Sequence, residues 1–217
     1  GIYAEVAAML SVTSSLIRGN IGNVRGGGVY CSATNLDSRM TFDACGIDGN
    51  TAVRDGGGVR WYSPSRLTVR GGTMRGNAAG WYGGALAATN GSRHISLTEV
   101  DVTGNSAGQR GGGVYAAGCS LSVSNSYFWY NLATNTSGTV TCGGAICLIG
   151  NVDCRLFGSQ SPDIADGVAD YGGGIYAGHG ANLLFSAPLS TPFSYELAEN
   201  TARRNGGAIC VRDGAAR

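Results

Sequence analysis

The amino-acid sequence predicts an all-β fold, a right-handed parallel β-helix of about seven turns with about 30 residues and three strands in each turn. Three observations predict it. A glycine-rich phrase returns along the whole chain at intervals of 27 to 34 residues. Each repeat holds short stretches in which apolar and polar residues alternate. The 217 residues include 38 glycines and only 13% charged residues, as expected for a turn-rich β protein.

The glycine-rich phrase marks the first strand of each turn. An aliphatic residue follows the glycines, and it serves here as the anchor of the repeat: Ile2, Val29, Val59, Leu86, Val114, Ile146, Ile175 and Ile209. The second residue before the anchor is glycine in every full repeat, from Gly27 to Gly207. Glycine accepts positive φ and lets neighbouring backbones approach closely. We therefore expect a tight corner before each anchor strand.

Two further patterns complete the repeat. One is an alternating apolar pair, such as Leu10 and Val12, and the other is an apolar residue three positions before an asparagine. Stacked asparagine side chains can bond to one another and to turn backbone, which satisfies buried polar groups. The sequence therefore predicts an internal ladder, with Asp166 in the asparagine's place in one repeat. The ladder residues are Asn20, Asn50, Asn77, Asn105, Asn131 and Asn200.

These phrases resemble those of a known group of proteins. "GGAL" (83–86), "GGAI" (143–146), "MRGN" (74–77), "FWYN" (128–131) and "LAEN" (197–200) are similar to the repeats of chlamydial polymorphic outer membrane proteins and related β-helical surface proteins of bacteria and protists. The resemblance covers essentially the whole chain. It implies a right-handed parallel β-helix and an extracellular or cell-surface passenger with an adhesive or structural role.

The first functional hypothesis is therefore a structural or adhesive module, a rigid scaffold within a larger protein or filament. An outward column just after the anchors carries Tyr30, Arg60, Tyr115 and Tyr176 beside a column of glycine and alanine. Tyrosines beside small residues can form an amphipathic surface for a sugar or a protein. The alternative is that they pack against neighbouring loops. Expected partners are other protein chains or further β-helix turns end to end, with carbohydrate as a further candidate.

The second hypothesis is a polysaccharide lyase or glycoside hydrolase of the pectate-lyase-like β-helix class. Its candidate catalytic residues are Asp163, Asp166 and Asp170, because such enzymes need paired carboxylates. "GHG" around His179 resembles a phrase of polygalacturonases, but the Asn-Thr-Asp, Asp-Asp and Arg-Ile-Lys phrases that accompany it there are absent, and the chain has no lysine. No cofactor and no metal site are predicted.

The third hypothesis is ice binding, which flat β-helix faces with regular hydroxyl groups can support. Outward positions of the middle strand include Ser11, Thr41, Thr68, Ser96 and Ser122. Strand surfaces favour such residues in any case. A net charge of +1 without a run of basic residues argues against a nucleic-acid partner. No apolar run approaches twenty residues, so the sequence predicts no membrane insertion.

Seven cysteines without a Cys-x-x-Cys motif favour disulfides and an oxidising location, although buried free thiols fit as well. Cys119 and Cys154 both precede a middle-strand leucine by two residues, so we predict a disulfide between them on adjacent turns. Cys142 should not pair with Cys147, because five residues of extended strand would separate them by about 16 Å. Cys31 and Cys45 point inward on one turn and could cross-link it or remain as core thiols.

Two glycosylation sequons occur, at Asn90 and Asn135, and both fall between predicted strands. If the protein is secreted by a eukaryote, both asparagines should carry glycans. Residues 1–217 are predicted to form a single β-helix domain. Because the chain begins and ends within the glycine-anchor phrase, we expect it to be a segment of a longer β-helix.

Overall fold

The protein is an all-β solenoid built from parallel strands. The computed structural model describes residues 1–5, 9–34, 36–89, 94–134, 138–158, 163–186 and 196–212. Within these ranges the chain forms three stacked parallel sheets and no helix, so it holds no helix that could cross a membrane. The predicted fold class, a parallel β-helix with a repeat near 30 residues, is confirmed.

The first sheet contains the anchors. Val29 pairs with Val59, Leu86 with Val114, and Ile146 with Ile175, so the anchors form one column along the solenoid axis. Side chains alternate across a strand, and the anchor column therefore faces the interior while the next residue faces outward. The described strands of this sheet are Ile2–Glu5, Val29–Ser32, Val59–Tyr62, Leu86–Thr89, Val114–Ala117, Ile146–Ile149, Ile175–Gly178 and Ile209–Arg212.

The second sheet combines two of the predicted segments. Arg39–Asp48 and Arg66–Arg75 each run from the alternating apolar pair through a bend to the apolar residue ahead of the asparagine. Positive φ at Ala44 (50°) and Gly71 (62°) makes this bend. The other described strands of the sheet are Met9–Thr13, Leu16–Arg18, His94–Thr98, Asp101–Thr103, Ser120–Ser124, Tyr127–Trp129, Asp153–Phe157, Ile164–Ala165 and Asn182–Ser186.

The third sheet follows the asparagines and has short strands. Its inward side chains are alanines, such as Ala79 and Ala107, both buried. The larger interior residues come from the other two sheets and include Trp61, Phe42 and Phe128, all fully buried. The described strands of the third sheet are Ile21–Gly22, Thr51–Ala52, Ala78–Ala79, Ser106–Ala107, Leu132–Ala133, Val168–Tyr171 and Thr201–Asn205.

The glycine corner joins the third sheet to the first, and two successive glycines form it for different reasons. Gly83 has φ +64°, a conformation that residues with a Cβ rarely adopt. Gly84 has no such φ, but a Cβ there would lie 2.2 Å from the carbonyl oxygen of Gly112 on the next turn. Gly83 is therefore required by its positive φ and by its own turn, since a Cβ there would lie 2.2 Å from the Leu86 carbonyl oxygen, whereas Gly84 is required by the close approach of the adjacent turn.

The asparagines form a hydrogen-bonded ladder inside the solenoid. The Oδ1 atom of Asn77 accepts hydrogen bonds from the backbone N–H and the side-chain amide of Asn50, at 3.0 and 3.1 Å. The Asn77 amide in turn donates to Asn105 Oδ1 at 3.0 Å and to the Ile47 carbonyl at 2.7 Å. The same pattern connects every step from Asn20 to Asn131. Asn50, Asn77, Asn105 and Asn131 are fully buried.

The ladder is interrupted once. Leu132 pairs with Val168, so the residue beside Asn131 on the next turn is Gly167. The prediction that Asp166 takes the asparagine's place is therefore wrong by one residue. Asp166 instead occupies the left-handed turn position, with φ 54°. Asn200 continues beyond the gap by accepting a hydrogen bond from the Gly167 N–H at 3.0 Å.

Candidate functional site: a groove outside the glycine corner

Two columns of side chains face each other on the outside of the glycine corner. One column follows the anchors in register and consists of Tyr3, Tyr30, Arg60, Ala87, Tyr115, Cys147, Tyr176 and Cys210. The other lies just before the corner glycines and consists of Arg25, Asp55, Tyr82, Arg110, Cys142 and Tyr171. Because the glycines between the columns carry no side chains, the corner is re-entrant. We call this surface the corner groove.

Charged groups dominate one part of the corner groove. Arg25 Nε donates to Asp55 Oδ2 at 2.9 Å, and Arg60 Nε lies 3.9 Å from the same oxygen. The Arg60 guanidinium also donates to the Ala87 carbonyl at 3.1 Å and to Thr89 Oγ1 at 2.8 Å. Burial lowers the pKa of Arg60, and the Asp55 charge opposes that change. Arg60 is therefore a buried cation held in one orientation.

Aromatic rings cover much of the rest of the groove. Tyr3 stacks on Tyr30 with ring centroids 5.5 Å apart, and Tyr82 stacks on Tyr115 at 4.8 Å. The Arg110 guanidinium carbon lies 5.5 Å from the Tyr82 ring centroid. Burial raises the pKa of Tyr115 to about 12. The Tyr3–Tyr30 stack follows from the parallel register, which places equivalent side chains about 4.8 Å apart, whereas Tyr82 and Tyr115 belong to different columns and stack across the groove.

The groove opens into a cavity beside its charged part. The cavity has a volume of about 290 Å³ and is lined by Arg25, Tyr30, Ser32, Arg60 and Tyr62. Tyr62 is 43% exposed, and the Arg25 side chain is 35% exposed. Arg60 Nε has no hydrogen-bond partner among the described residues. The cavity thus combines two tyrosine rings with cationic N–H donors.

The predicted binding column lies in this groove, but it differs from a flat exposed face. Tyr30 is half-buried, whereas Arg60, Tyr115 and Tyr176 are only 6 to 8% exposed. These side chains pack against the column on the other side of the corner. This arrangement is nearer to the alternative interpretation, in which they pack against neighbouring loops, than to an open binding face. The sequence reasoning missed that second column. Its signal is the residue directly before the corner glycines, which is Arg, Asp, Tyr or Cys in six repeats.

The expected separation of Cys142 and Cys147 is wrong. Their sulfur atoms lie 3.1 Å apart. The segment between them is not extended, because Gly143 has φ +65° and turns the chain through the corner. Both side chains therefore enter the groove from its two sides, where Cys142 is 6% exposed and Cys147 is fully buried.

The predicted Cys119–Cys154 disulfide is not formed, because all seven cysteines are free. The register explains why the prediction was wrong: Cys154 pairs with Leu121, so Cys119 lies two positions earlier than Cys154 on the neighbouring strand. Burial raises the pKa of both thiols, that of Cys119 to about 12. Cys31 and Cys45 are likewise buried free thiols.

The candidate catalytic residues interact with different neighbours. Asp163 lies beside Glu196, and its pKa is raised by burial and by that neighbouring charge. Asp170 accepts a hydrogen bond from the Thr141 N–H at 2.9 Å, a contact between adjacent turns. His179 is an exposed turn residue with φ 56°. Within the described residues no three His, Cys, Asp or Glu side chains are grouped as metal ligands would be.

The remaining predicted surface features can be placed only in part. The outward hydroxyl column of the second sheet is in register from Ser11 through Thr41, Thr68 and Ser96 to Ser122. It continues into Arg155 and Leu184 and so loses its hydroxyl character. The sequons at Asn90 and Asn135 lie outside the described residues.

Comparison with known proteins supplies no relative. No protein-family model matches the chain, and no similar protein is found among curated proteins or solved structures. The geometry of the chain itself is therefore the basis for a functional proposal.

Proposed function

We propose that the protein is a rigid structural and adhesive module of an extracellular or cell-surface protein, and that the corner groove is its binding surface. The observation that carries the proposal is the concentration of tyrosine and arginine in one continuous groove. Seven of the ten tyrosines lie along it or line its cavity: six belong to the two columns, namely Tyr3, Tyr30, Tyr82, Tyr115, Tyr171 and Tyr176, and Tyr62 lines the cavity. The solenoid itself does not require this clustering, since the core and the ladder lie on the other side of the sheets.

Carbohydrate is the ligand class that fits the cavity at Arg25, Tyr30, Arg60 and Tyr62 best. A tyrosine ring offers an apolar face to sugar C–H groups and a hydroxyl group at its edge. Arginine supplies several N–H donors in a fixed plane, which suits sugar hydroxyl or carboxylate oxygens. A cavity of about 290 Å³ holds part of a saccharide and leaves the chain free to extend along the groove.

The rigid scaffold supports this role energetically. Both walls of the groove are fixed by backbone pairing between turns, on one side through the first sheet and on the other through bridges such as Arg25 to Asp55 and Tyr82 to Arg110. Side chains that are already ordered lose little conformational entropy when a ligand binds. A solenoid therefore presents a preorganised linear surface to an extended ligand.

The test is a glycan array followed by titration of any glycan that binds. We expect Tyr62→Ala to weaken binding at least about five-fold, since a stacked aromatic anchor is lost. Trp129→Ala is the matched control: Trp129 is 41% exposed, against 43% for Tyr62, but lies on the second sheet. The carbohydrate assignment is wrong if no glycan binds, or if both variants weaken binding equally.

A further inference from the structure

We propose that Cys142 and Cys147 are an oxidisable dithiol, and that a low-molecular-weight disulfide such as oxidised glutathione converts them to an intramolecular disulfide. The inference does not rest on carbohydrate binding. It rests on the distance of 3.1 Å between the two sulfur atoms, across a corner whose backbone is fixed by its glycines.

The position of the pair in the groove favours this reaction. Cys142 and Cys147 stand on opposite walls of the same turn, in line with Arg110 and Tyr171 on one side and with Tyr115 and Tyr176 on the other. The turns above and below therefore hold the two side chains facing each other. The approach still needed to reach the bond length of about 2.05 Å is a small side-chain movement.

The other cysteines of the chain are placed differently. Cys31, Cys45, Cys119 and Cys154 belong to the apolar interior, whereas Cys142, Cys147 and Cys210 form a separate cluster with the groove tyrosines. Cys210 lies two strands from Cys147, with Tyr176 between them in the register. Among the described residues, Cys142 and Cys147 are thus the cysteine pair whose sulfur atoms are already in contact.

The two thiols differ in their surroundings. Burial raises the pKa of the Cys147 thiol, and the contact with Cys142 raises it further, whereas the positive charge of Arg110 opposes that rise. Cys142 retains some exposure and Cys147 has none. The order of attack follows: Cys142 meets the external disulfide first, and Cys147 resolves the product.

The exchange balances as follows. Cys142 releases its thiol proton, and its thiolate attacks one sulfur of the external disulfide, which forms a mixed disulfide and expels a thiolate that takes up a proton. Cys147 then releases its proton, and its thiolate attacks the Cys142 sulfur and expels the second thiolate, which is protonated in turn. Two cysteine thiols are oxidised, and the external disulfide is reduced to two thiols.

The experiment maps the disulfide in the full chain. Reduced protein is equilibrated with mixtures of oxidised and reduced glutathione, alkylated in denaturant and digested with chymotrypsin, after removal of any glycan. Cleavage after Leu132 and Leu148 yields residues 133–148, which contain Cys142 and Cys147 and no other cysteine. We expect this peptide to lose two hydrogen atoms and resist alkylation, with the oxidised fraction rising at least about ten-fold across the glutathione series.

Two variants separate the roles of the thiols. In Cys147→Ser, Cys142 should accumulate as a stable mixed disulfide with glutathione, because no resolving thiol remains. In Cys142→Ser, the enclosed Cys147 should stay fully alkylatable after denaturation. Cys31 and Cys154, only 0 and 1% exposed, are internal controls that should remain reduced. The proposal is overturned if residues 133–148 stay reduced at every glutathione ratio, or if either cysteine is linked to a different cysteine.

Discussion

A single asparagine in this solenoid serves two turns at once, and this makes the ladder residues unusually costly to replace. Asn77 accepts two hydrogen bonds from Asn50 and donates to Asn105 and to the Ile47 carbonyl. All of these polar groups lie inside the protein, where water cannot replace a lost partner. The penalty for truncation is therefore the desolvation cost of several groups rather than the modest net value of one hydrogen bond.

We expect Asn77→Ala to lower the free energy of unfolding by roughly 3 kcal/mol, because it leaves two buried donors of Asn50 without an acceptor. Chemical denaturation monitored by circular dichroism measures this change. Asn200→Ala is the control: Asn200 is half-buried, accepts one hydrogen bond from Gly167 and donates one to the Ile164 carbonyl, against the four hydrogen bonds of the buried Asn77 side chain. Replacement of Asn200 should cost roughly 1 kcal/mol. Equal losses in the two variants would contradict the interpretation of a ladder that bonds most strongly at its centre.

The corner is the element that sets how closely successive turns approach. A Cβ at either corner glycine would clash with backbone, within its own turn for Gly83 and with the next turn for Gly84, and Gly83 satisfies a dihedral requirement as well. The two requirements have different energetic consequences. A left-handed backbone costs a residue with a Cβ on the order of 1 kcal/mol, whereas a side chain against fixed backbone atoms forces adjacent turns apart.

We expect Gly84→Ala to destabilise the protein by about 3 kcal/mol or more, since its Cβ would lie 2.2 Å from the Gly112 carbonyl oxygen. Gly104→Ala provides the comparison. Gly104 has φ +65°, but no atom lies within 4 Å of the position a Cβ would take. That variant should lose only about 1 kcal/mol. Thermal and chemical unfolding of both variants test the difference, and a larger loss for Gly104→Ala would refute the steric explanation.

The groove tyrosines make stability depend on alkaline pH. Burial raises the pKa of Tyr115 to about 12 from its ordinary value of 10.0, so the folded state favours the neutral phenol. A raised folded-state pKa contributes stability that is complete below pH 10 and is lost as the pH rises towards 12. Unfolding measured across this window should show a loss on the order of 2 kcal/mol from Tyr115.

Tyr115→Phe should flatten this part of the pH profile, because phenylalanine has no proton to release. Tyr130→Phe, at a side chain that is 59% exposed, should leave the profile unchanged. A wild-type profile that matches that of Tyr115→Phe between pH 10 and 12 would rule out the assignment.

The strands and the inward columns were predictable, because the same residue types return at the same positions of a repeat whose anchor occurs eight times in the sequence. The corner groove was only half predictable. The column after the anchors followed from alternation, but the facing column depends on how sharply the glycines turn the chain. The same turn brings Cys142 to Cys147.

The register between turns is the second feature that could not be predicted from the sequence. Counting back from a leucine placed Cys119 and Cys154 side by side, although Cys154 itself pairs with Leu121 and the register is therefore shifted by two. Gly167 was missed for the same reason: the adjacent aspartate looks like an asparagine substitute, but the backbone pairing selects the glycine. Only the hydrogen bonds between turns decide such cases.

At the scale of the whole molecule, stability is a sum of contacts between neighbouring turns, and these contacts are uneven. From Asn20 to Asn131 every step of the ladder is bonded. At Gly167 the ladder is interrupted, and the third sheet has an irregular register between Ala169 and Tyr171. The turns beyond Gly167 therefore share fewer interactions with the rest of the solenoid.

Hydrogen exchange should resolve this difference. We expect the backbone amides of strands between Met40 and Ala133 to exchange most slowly, and those of Val168–Tyr171 and Thr201–Asn205 to exchange at least about ten-fold faster, because opening there breaks fewer bonds. Mass spectrometry of peptic fragments gives both rates in one experiment. Uniform protection along the chain would show that the gap in the ladder has no effect on local stability.

The ladder and the strand pairing share one direction, since both sets of hydrogen bonds run along the solenoid axis. A tensile load on the two ends would therefore pull directly along these bonds, and they would fail one turn at a time rather than all together. Each turn that detaches would release about 30 residues, or roughly 100 Å of extended chain, in place of about 5 Å of folded length. Under force the molecule would behave as an extensible tether that dissipates mechanical work in discrete steps, with its first yield at the turns beyond Gly167.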